Sequence, residues 1–264
     1  MTTIERVQDH YNESLEYFPE DRIVGIFLQG SQNYRLDIPT SDVDTKLILV
    51  PTFKEIAMNR QPVSTTHVRQ NEEHIDWKDI RLYMQTFRKQ NLNFLEILFT
   101  DYKIINPLYE NEWNRLIAAR EKIARMNPYR AVKSMYGIAM EKYHAMCHPY
   151  PSKLAILEKY HYDPKQLHHL LRVEEYLRRY IQGEEYEKCL ISNYPERLID
   201  VKCGKYNLDE ALNIADQAKI RIEAMTANFC AKTPEAEDSD IRLLLEDVQY
   251  NIMKIAIMEE LKNG

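Results

Sequence analysis

Two aspartates, Asp42 and Asp44, stand one residue apart at the start of the segment DVDTKLILV. Because side chains alternate between the two faces of a β-strand, both carboxylates project to the same side and lie close together. Two negative charges this close repel each other without a cation between them, and Mg²⁺ and Mn²⁺ prefer carboxylate oxygens. The pair therefore predicts a divalent metal site; the alternative is a solvated, acidic end of a strand.

A third carboxylate on a neighbouring strand would complete a site for two metal ions, where one ion activates the attacking oxygen and the other neutralises the leaving phosphate. Asp76 has the apolar–Asp–apolar pattern of a strand in the segment HIDWK. Asp79 is the alternative third acid, although it also suits the N-cap of the helix that follows. We expect Asp42, Asp44 and Asp76 to be the catalytic metal ligands, with Asp76 as a possible general base.

A glycine and a serine, Gly30 and Ser31, follow the apolar segment RIVGIFLQ and precede Asp42 by ten residues, 32–41. Glycine lets backbone N–H groups approach a phosphate closely, and a serine hydroxyl can donate a hydrogen bond to it. A Gly-Ser pair alone is weak support for a site. Together with the two acids, it predicts a phosphate-binding turn beside a metal.

Composition limits the classes of function. The chain has 264 residues and a formal net charge of −6 at pH 7, so it is not a general polyanion binder and any nucleic-acid contact must be local. Four scattered cysteines form no CxxC pair, which argues against zinc and against a disulfide framework. No apolar run is long enough for a membrane span and the N-terminal segment lacks the pattern of a signal peptide, so we expect a cytoplasmic protein.

Periodicity divides the chain into two parts. Residues 1–128 alternate helical and extended patterns: a helix over 3–18, apolar strands over 22–30 and 44–51, a hairpin that turns at 71–73, and a helix that begins at Asp79. Residues 129–264 have helical patterns only. Helices are expected near 110–125, 129–147, 164–181, 207–227 and 239–262.

The segment QGSQNYRLDIPTSDVDTKLILV resembles the signature of the DNA polymerase β-like nucleotidyltransferase superfamily, in which a glycine-serine pair precedes a strand with two metal-binding acids and a later strand carries a third. The blocks KQNLNFLEILF, HYDPKQLHHLLR and CGKYNLDEAL are similar to a narrower group, the predicted RNA-repair-associated nucleotidyltransferases of bacteria and phages. Gln90 and Leu92 depart from that group, which commonly has a glycine and a proline at these positions.

The resemblance implies an α+β fold, with a small mixed sheet in a nucleotidyltransferase domain over 1–128 and an all-helical domain over 129–264. It implies that a nucleoside monophosphate moves from an NTP, such as ATP, to a hydroxyl with release of pyrophosphate. Two Mg²⁺ or Mn²⁺ ions would be the cofactors, and an RNA or tRNA end a possible acceptor. The alternatives are an inactive nucleotide-sensing or partner-binding module, and a toxin-like enzyme that modifies a protein or a small molecule.

Cationic residues in the second part could bind phosphates. Lys165, His169 and Arg172 are spaced along one helical face, and, given the resemblance, this face is expected to bind the triphosphate or the acceptor's phosphate. A solvated face with a histidine in the core is the alternative. Lys133, one turn before Gly137, is a further candidate for the nucleotide's phosphates, although a surface lysine on a packed helix fits the same pattern.

Overall fold

The structure, a computed structural model, describes residues 2–263. The strands are β1 Ile23–Gln29, β2 Asp44–Leu49, β3 Ser64–Val68, β4 His74–Asp79 and β5 Lys103–Ile105. The α-helices are α1 Thr3–Ser14, α2 Phe53–Ala57, α3 Ile80–Arg88, α4 Leu92–Leu95, α5 Glu110–Ala118, α6 Arg120–Ala124, α7 Pro128–Ala145, α8 Leu154–Tyr160, α9 Pro164–Ile181, α10 Tyr186–Leu190, α11 Pro195–Lys202, α12 Leu208–Lys232 and α13 Ser239–Asn263. Short 3₁₀ helices span Glu20–Arg22, Ser31–Tyr34, Glu96–Leu98 and Pro151–Lys153.

The five strands form one mixed sheet in the order β3-β4-β2-β1-β5. Strands β2 and β4 are parallel, whereas the other neighbours are antiparallel. The predicted α+β fold class is therefore confirmed. None of the helices in the described residues has both the length and the apolar character needed to cross a lipid bilayer.

One face of the sheet is apolar and packs against α1. Burying each of these side chains contributes roughly 1.5–3 kcal/mol, which makes this face the core of the sheet. The buried residues of this core come from α1, from the strands and from the segment before β2: Val7, Tyr11, Ile23, Ile26, Leu28, Val43, Leu47, Leu49 and Ile75.

The opposite face carries both apolar and charged side chains. Phe27 is buried in the row where it pairs with Lys46 and Lys46 pairs with Asp76, and its ring lies 4.7 Å from that of Trp113 in α5. The next row, in which Gln29 pairs with Asp44, forms the polar end of this face. The sheet thus brings charged residues from neighbouring strands to one place.

The contacts divide the chain into two compact units. The first comprises Met1–Asn33, Pro39–Met126 and Glu237–Gly264, and the second comprises Tyr34–Ile38 and Asn127–Ala236. The change at Met126 lies close to the boundary that the sequence predicts at residue 128.

The C-terminal helix α13 belongs to the first unit, whereas the sequence-based division places it in the second. Arg115 in α5 donates to Asp247 of α13 at 2.6 Å, and Arg88 in α3 donates to Glu237 just before α13 at 2.8 Å. The apolar stripe of α13 shows that the helix packs, but only contacts between distant segments decide its partner.

In the second unit, every regular element of the described residues is helical. Helix α9 is its central element and contacts α7, α10, α11 and α12. Its Pro164–Ile181 bounds coincide with the predicted helix over 164–181. The residues that α9 buries on these neighbours include Leu167, Leu170, Val173, Tyr176, Leu177 and Tyr180.

Gln90 and Leu92 have backbone positions that suit glycine and proline, respectively. Gln90 has φ +55°, in the left-handed region that glycine adopts without strain, and its side-chain amide donates to the carbonyls of Phe87 and Ile123 at 2.8 Å each. Leu92 is the first residue of α4, a position that suits proline. Two side-chain hydrogen bonds therefore stabilise the turn without the glycine.

The buried carboxylate of Glu73 joins α1 to the β3–β4 turn and to β2. It accepts hydrogen bonds from His10 Nε2 at 3.0 Å and from the backbone N–H of Val43 at 3.1 Å. It also forms ion pairs with Arg6 and Arg69. Because Val43 lies between Asp42 and Asp44, this carboxylate fixes the backbone that carries both acids.

Replacing Glu73 is expected to destabilise the first unit. The Glu73→Ala change leaves two arginines and the Val43 N–H without their acceptor, at a cost of roughly 3 kcal/mol. Chemical denaturation of Glu73→Ala would measure this loss. The exposed neighbour gives the control, Glu72→Gln, which should stay within about 0.5 kcal/mol of the wild type. Equal stability of the two variants would contradict the role assigned to Glu73.

Candidate functional site

The glycine-serine turn lies at the end of β1. Gly30 has φ +100°, a conformation that side chains other than glycine rarely adopt, and Ser31 begins the 3₁₀ helix Ser31–Tyr34. The Gly30 N–H donates to Glu96 Oε2 at 3.4 Å, and Glu96 is buried. The backbone thus turns sharply away from the sheet beside β2.

The two acids at the start of β2 differ in their surroundings. Asp42 is exposed, and Gln32 Nε2 donates to its backbone carbonyl at 2.8 Å. Asp44 is about one-third exposed, and its Oδ1 accepts from the backbone N–H of His74 at 2.9 Å. The ring nitrogen His74 Nδ1 lies 3.2 Å from the same oxygen. Both carboxylates therefore face solvent at the polar end of the sheet.

The carboxylate of Asp76 is engaged through both oxygens. Lys46 Nζ lies 3.1 Å from Oδ2, to which Gln29 Nε2 also donates at 3.4 Å, while the Thr66 hydroxyl donates to Oδ1 at 2.7 Å. Burial opposes ionisation of Asp76, but the charge of Lys46 and the hydrogen bonds outweigh it and lower the pKa of the carboxyl. Asp76 is consequently an ionised partner of Lys46.

Lys46 is 3% exposed and lies against an aromatic ring. Its Nζ is 4.2 Å from the centroid of the Phe94 ring, and Lys78 Nζ is 4.3 Å from the same centroid. Burial, followed by the charge of Lys46, lowers the pKa of Lys78. Two ammonium groups thus stand beside Asp76.

Asp79 caps helix α3, as the sequence predicts for its alternative role. Its carboxylate accepts from the backbone N–H of Arg81 at 2.8 Å and forms an ion pair with the Arg81 guanidinium at 2.7 Å. Asp79 lies three residues after Asp76 on the same strand, so its side chain points to the opposite face. The structure therefore brings Asp76, and not Asp79, to the face of Asp44 and Lys46.

The donor set does not fit the predicted three-acid, two-ion site. Across residues 2–263, no group of three or more His, Cys, Asp or Glu side chains is arranged to hold a metal ion. Asp76 is paired with Lys46, whereas Asp42 and Asp44 offer carboxylate oxygens suited to one hard cation. The roles of Asp42 and Asp44 as metal ligands stay predictions.

In the second unit, the predicted face of α9 runs from solvent into the core. Lys165 is exposed, His169 is half-buried and Arg172 is only 7% exposed. The Arg172 guanidinium carbon lies 3.9 Å from the centroid of the Tyr34 ring, which places the charge on the aromatic face. Among the described residues, its Nε and Nη1 have no hydrogen-bond partner. Two buried donors therefore remain available for an acceptor.

The histidines of this face are neutral near pH 7. Burial lowers the pKa of His168 to about 4, against the opposite effect of its Nδ1–H bond to the Leu198 carbonyl at 2.8 Å. Burial and the charge of Arg172 also lower the pKa of His169 well below its ordinary value. The positive charge of the face therefore comes from Lys165 and Arg172, not from His169.

Lys133 is exposed on α7, and its Nζ lies 6.0 Å from the Tyr136 ring centroid. A Cβ added at Gly137 would meet no atom within 4 Å, so this glycine does not serve a close helix contact. No contact in the described residues connects Lys133 with phosphate binding. Its predicted role stays a prediction.

Sequence reasoning missed several residues of the site. Lys46 follows Asp44 by two positions in an apolar strand, and a lysine there is itself a signal because strand periodicity puts it on the face of the acids. His74 precedes Asp76 by two positions and shares that face for the same reason. Thr66 and Tyr34 carried no signal, since only the fold brings them to Asp76 and Arg172.

Searches against protein-family models and against curated proteins gave no match. Among solved structures, a nucleotidyltransferase-like protein from Exiguobacterium sibiricum is similar, with a TM-score of 0.30 and 9% sequence identity over 98% of this chain and 80% of that chain. A similarity this low carries no functional weight. We therefore infer the function from the side chains of the site.

Acid is expected to destabilise the fold through its buried neutral histidines. The folded-state pKa of His168, about 4, lies below the ordinary value of 6.5, so the unfolded chain takes up the proton first. The protonation of His168 alone should lower the free energy of unfolding by up to about 3 kcal/mol as the pH drops from 6.5 to 4. Denaturation curves at several pH values measure this slope.

The matched variants are His168→Asn and His148→Gln. An asparagine amide can replace Nδ1–H toward the Leu198 carbonyl but does not titrate, so the slope should become smaller. The slope that remains belongs to His10 and His169, whose pKa values burial also lowers, that of His10 to about 4. His148 is exposed, and its variant should keep the wild-type slope. A full slope in His168→Asn would refute the assignment.

Proposed function

We propose that this chain is a nucleotidyltransferase that moves a nucleoside monophosphate from an NTP to an acceptor hydroxyl. The observation that carries the proposal is the pairing of Gln29 with Asp44. It sets the end of β1, where Gly30 and Ser31 follow, beside the start of β2, where the acids stand. A turn that suits phosphates and a pair of carboxylates therefore lie next to each other, at the end of β1 and the start of β2.

In this proposal, the turn that Gly30 permits lets Ser31 hold the triphosphate through its backbone N–H and its hydroxyl, and Asp42 and Asp44 hold a divalent cation. A bound Mg²⁺ or Mn²⁺ supplies charge neutralisation at the phosphates. The acceptor oxygen forms a bond to the α-phosphorus, the bond to the bridging oxygen breaks, and pyrophosphate leaves with the electron pair. The hydroxyl proton passes to solvent, because the lowered pKa of Asp76 makes it a weak base.

We propose an RNA end, such as that of tRNA, as the acceptor. Arg172 has two unpaired, buried N–H donors, and a guanidinium fork matches the geometry of a phosphate. Lys165 adds an exposed positive charge on the same helix. A local patch of this kind can bind an RNA end despite the net charge of −6.

The Lys46–Asp76 ion pair favours a second candidate, a nucleotide-binding module that has lost turnover. In such a protein, the third acid serves only as the partner of a buried lysine at 3.1 Å. This module would bind an NTP without releasing pyrophosphate. The two candidates therefore differ in a measurable product.

Incubation with each α-labelled NTP, Mg²⁺ or Mn²⁺ and total cellular RNA tests the proposal. We expect label on RNA, reduced at least about 100-fold in the Asp42→Asn/Asp44→Asn variant, because the two carboxylates would hold the cation that neutralises the charge of the reacting phosphates. The partly exposed acid Asp9 on α1 provides the control, Asp9→Asn, which should label as the wild type does. Label on protein would indicate the toxin-like alternative. NTP binding without any label would favour the module.

The Arg172→Lys variant tests the acceptor site. Lysine keeps the positive charge but lacks the paired N–H donors of the guanidinium group. KM for the acceptor RNA should therefore rise roughly tenfold while kcat changes little. The control is Arg178→Lys, an exposed arginine on the same helix. An unchanged KM for RNA in Arg172→Lys would remove Arg172 from the acceptor site.

A further inference from the structure

We infer that Lys46 is a built-in cation of the site, and that the chain itself holds one divalent ion, at Asp42 and Asp44, instead of two. The inference rests on the proposed function and specifies its cofactor. Lys46 is a positioning residue: it forms an ion pair with Asp76 and so competes with a second metal ion for that carboxylate.

The burial of Lys46 keeps it at Asp76. Its side chain is 3% exposed, and its ammonium group lies 3.1 Å from Asp76 Oδ2. A buried ammonium without a counter-charge is strongly unfavourable. If Asp76 turned toward a metal ion, Lys46 would lose this partner in a place that water barely reaches.

The remaining contacts of Asp76 also compete with a metal. Thr66 donates to Oδ1 at 2.7 Å, and Gln29 donates to Oδ2 at 3.4 Å. A metal ion would compete with these donors, and above all with Lys46, for the carboxylate. Among the described residues, the carboxylate of Asp44 contacts His74 and forms no ion pair with a lysine or an arginine.

Charge gives an independent reason for a single ion. Without nucleotide, the ammonium of Lys46 and one divalent cation already offset the three negative charges of Asp42, Asp44 and Asp76, and Lys78 adds a further positive charge nearby. A second divalent cation would add two positive charges near Lys46 and near Lys78, which lies over the same Phe94 ring at 4.3 Å. Like charges at short range in a partly buried site repel each other.

Titration with Mn²⁺ in the absence of nucleotide, followed by the electron paramagnetic resonance signal of free Mn²⁺, tests the inference. We expect one ion per wild-type chain. Asp44→Asn should weaken binding at least about tenfold, whereas Asp76→Asn should change it less than about threefold. Equal weakening by the two variants would overturn the inference.

The Lys46→Met variant gives the converse test. Removing the ammonium frees Asp76, so a second Mn²⁺ should bind. The control is Lys78→Met: Lys78 also lies over the Phe94 ring but does not form the 3.1 Å ion pair with Asp76, so this variant should still bind one Mn²⁺. A single ion of unchanged affinity in a folded Lys46→Met protein would overturn the inference. If this variant does not fold, the two aspartate variants decide alone.

The titration separates this inference from the proposed function. Two Mn²⁺ ions in the wild type, both weakened by Asp76→Asn, would overturn the single-ion inference and leave nucleotidyl transfer intact. If the wild type bound no Mn²⁺ at millimolar concentration, the single-ion inference would be overturned. The proposed function would be overturned only if the wild type also transferred no label in the RNA assay. Each proposal thus has a result that contradicts it alone.

Discussion

The buried carboxylate of Glu73 is the interaction on which the geometry of the first unit depends. It connects α1 through His10, the β3–β4 turn through Arg69, and the start of β2 through the N–H of Val43. Three segments far apart in sequence are thereby fixed to one another. A buried charge is tolerable only with such partners, and here they hold the backbone between the two acids in place.

The register of the sheet is a second constraint, because one face forms the apolar core and the other carries the charged residues of the candidate site. The face toward α1 is apolar and stabilises the unit, so register cannot slip without exposing it. The same register sets Asp44 beside Gln29 and Lys46 beside Asp76 on the other face. Stability of the core therefore determines which charges meet at the candidate site.

The second unit carries a buried positive charge at Arg172 within an acidic protein. Arg172 lies on the Tyr34 ring, where the aromatic face offsets part of the cost of burying its charge. The neighbouring histidines stay neutral because burial lowers the pKa of His168 and of His169. The buried positive charge of this helix therefore lies on Arg172 and not on the neighbouring histidines.

The sequence by itself determined the features that depend on local periodicity: the helix over 164–181, the apolar strands, the hairpin turn and the cap at Asp79. It also placed Gly30 at the end of one apolar strand and the acids at the start of the next. Short helices such as α2, α8 and α10 gave too few turns for a periodic pattern. Only the tertiary structure decided that α13 joins the first unit, that Lys46 pairs with Asp76 and that Tyr34 supports Arg172. These outcomes depend on contacts between residues distant in the chain, and no local pattern encodes which distant side chain will fill a given space.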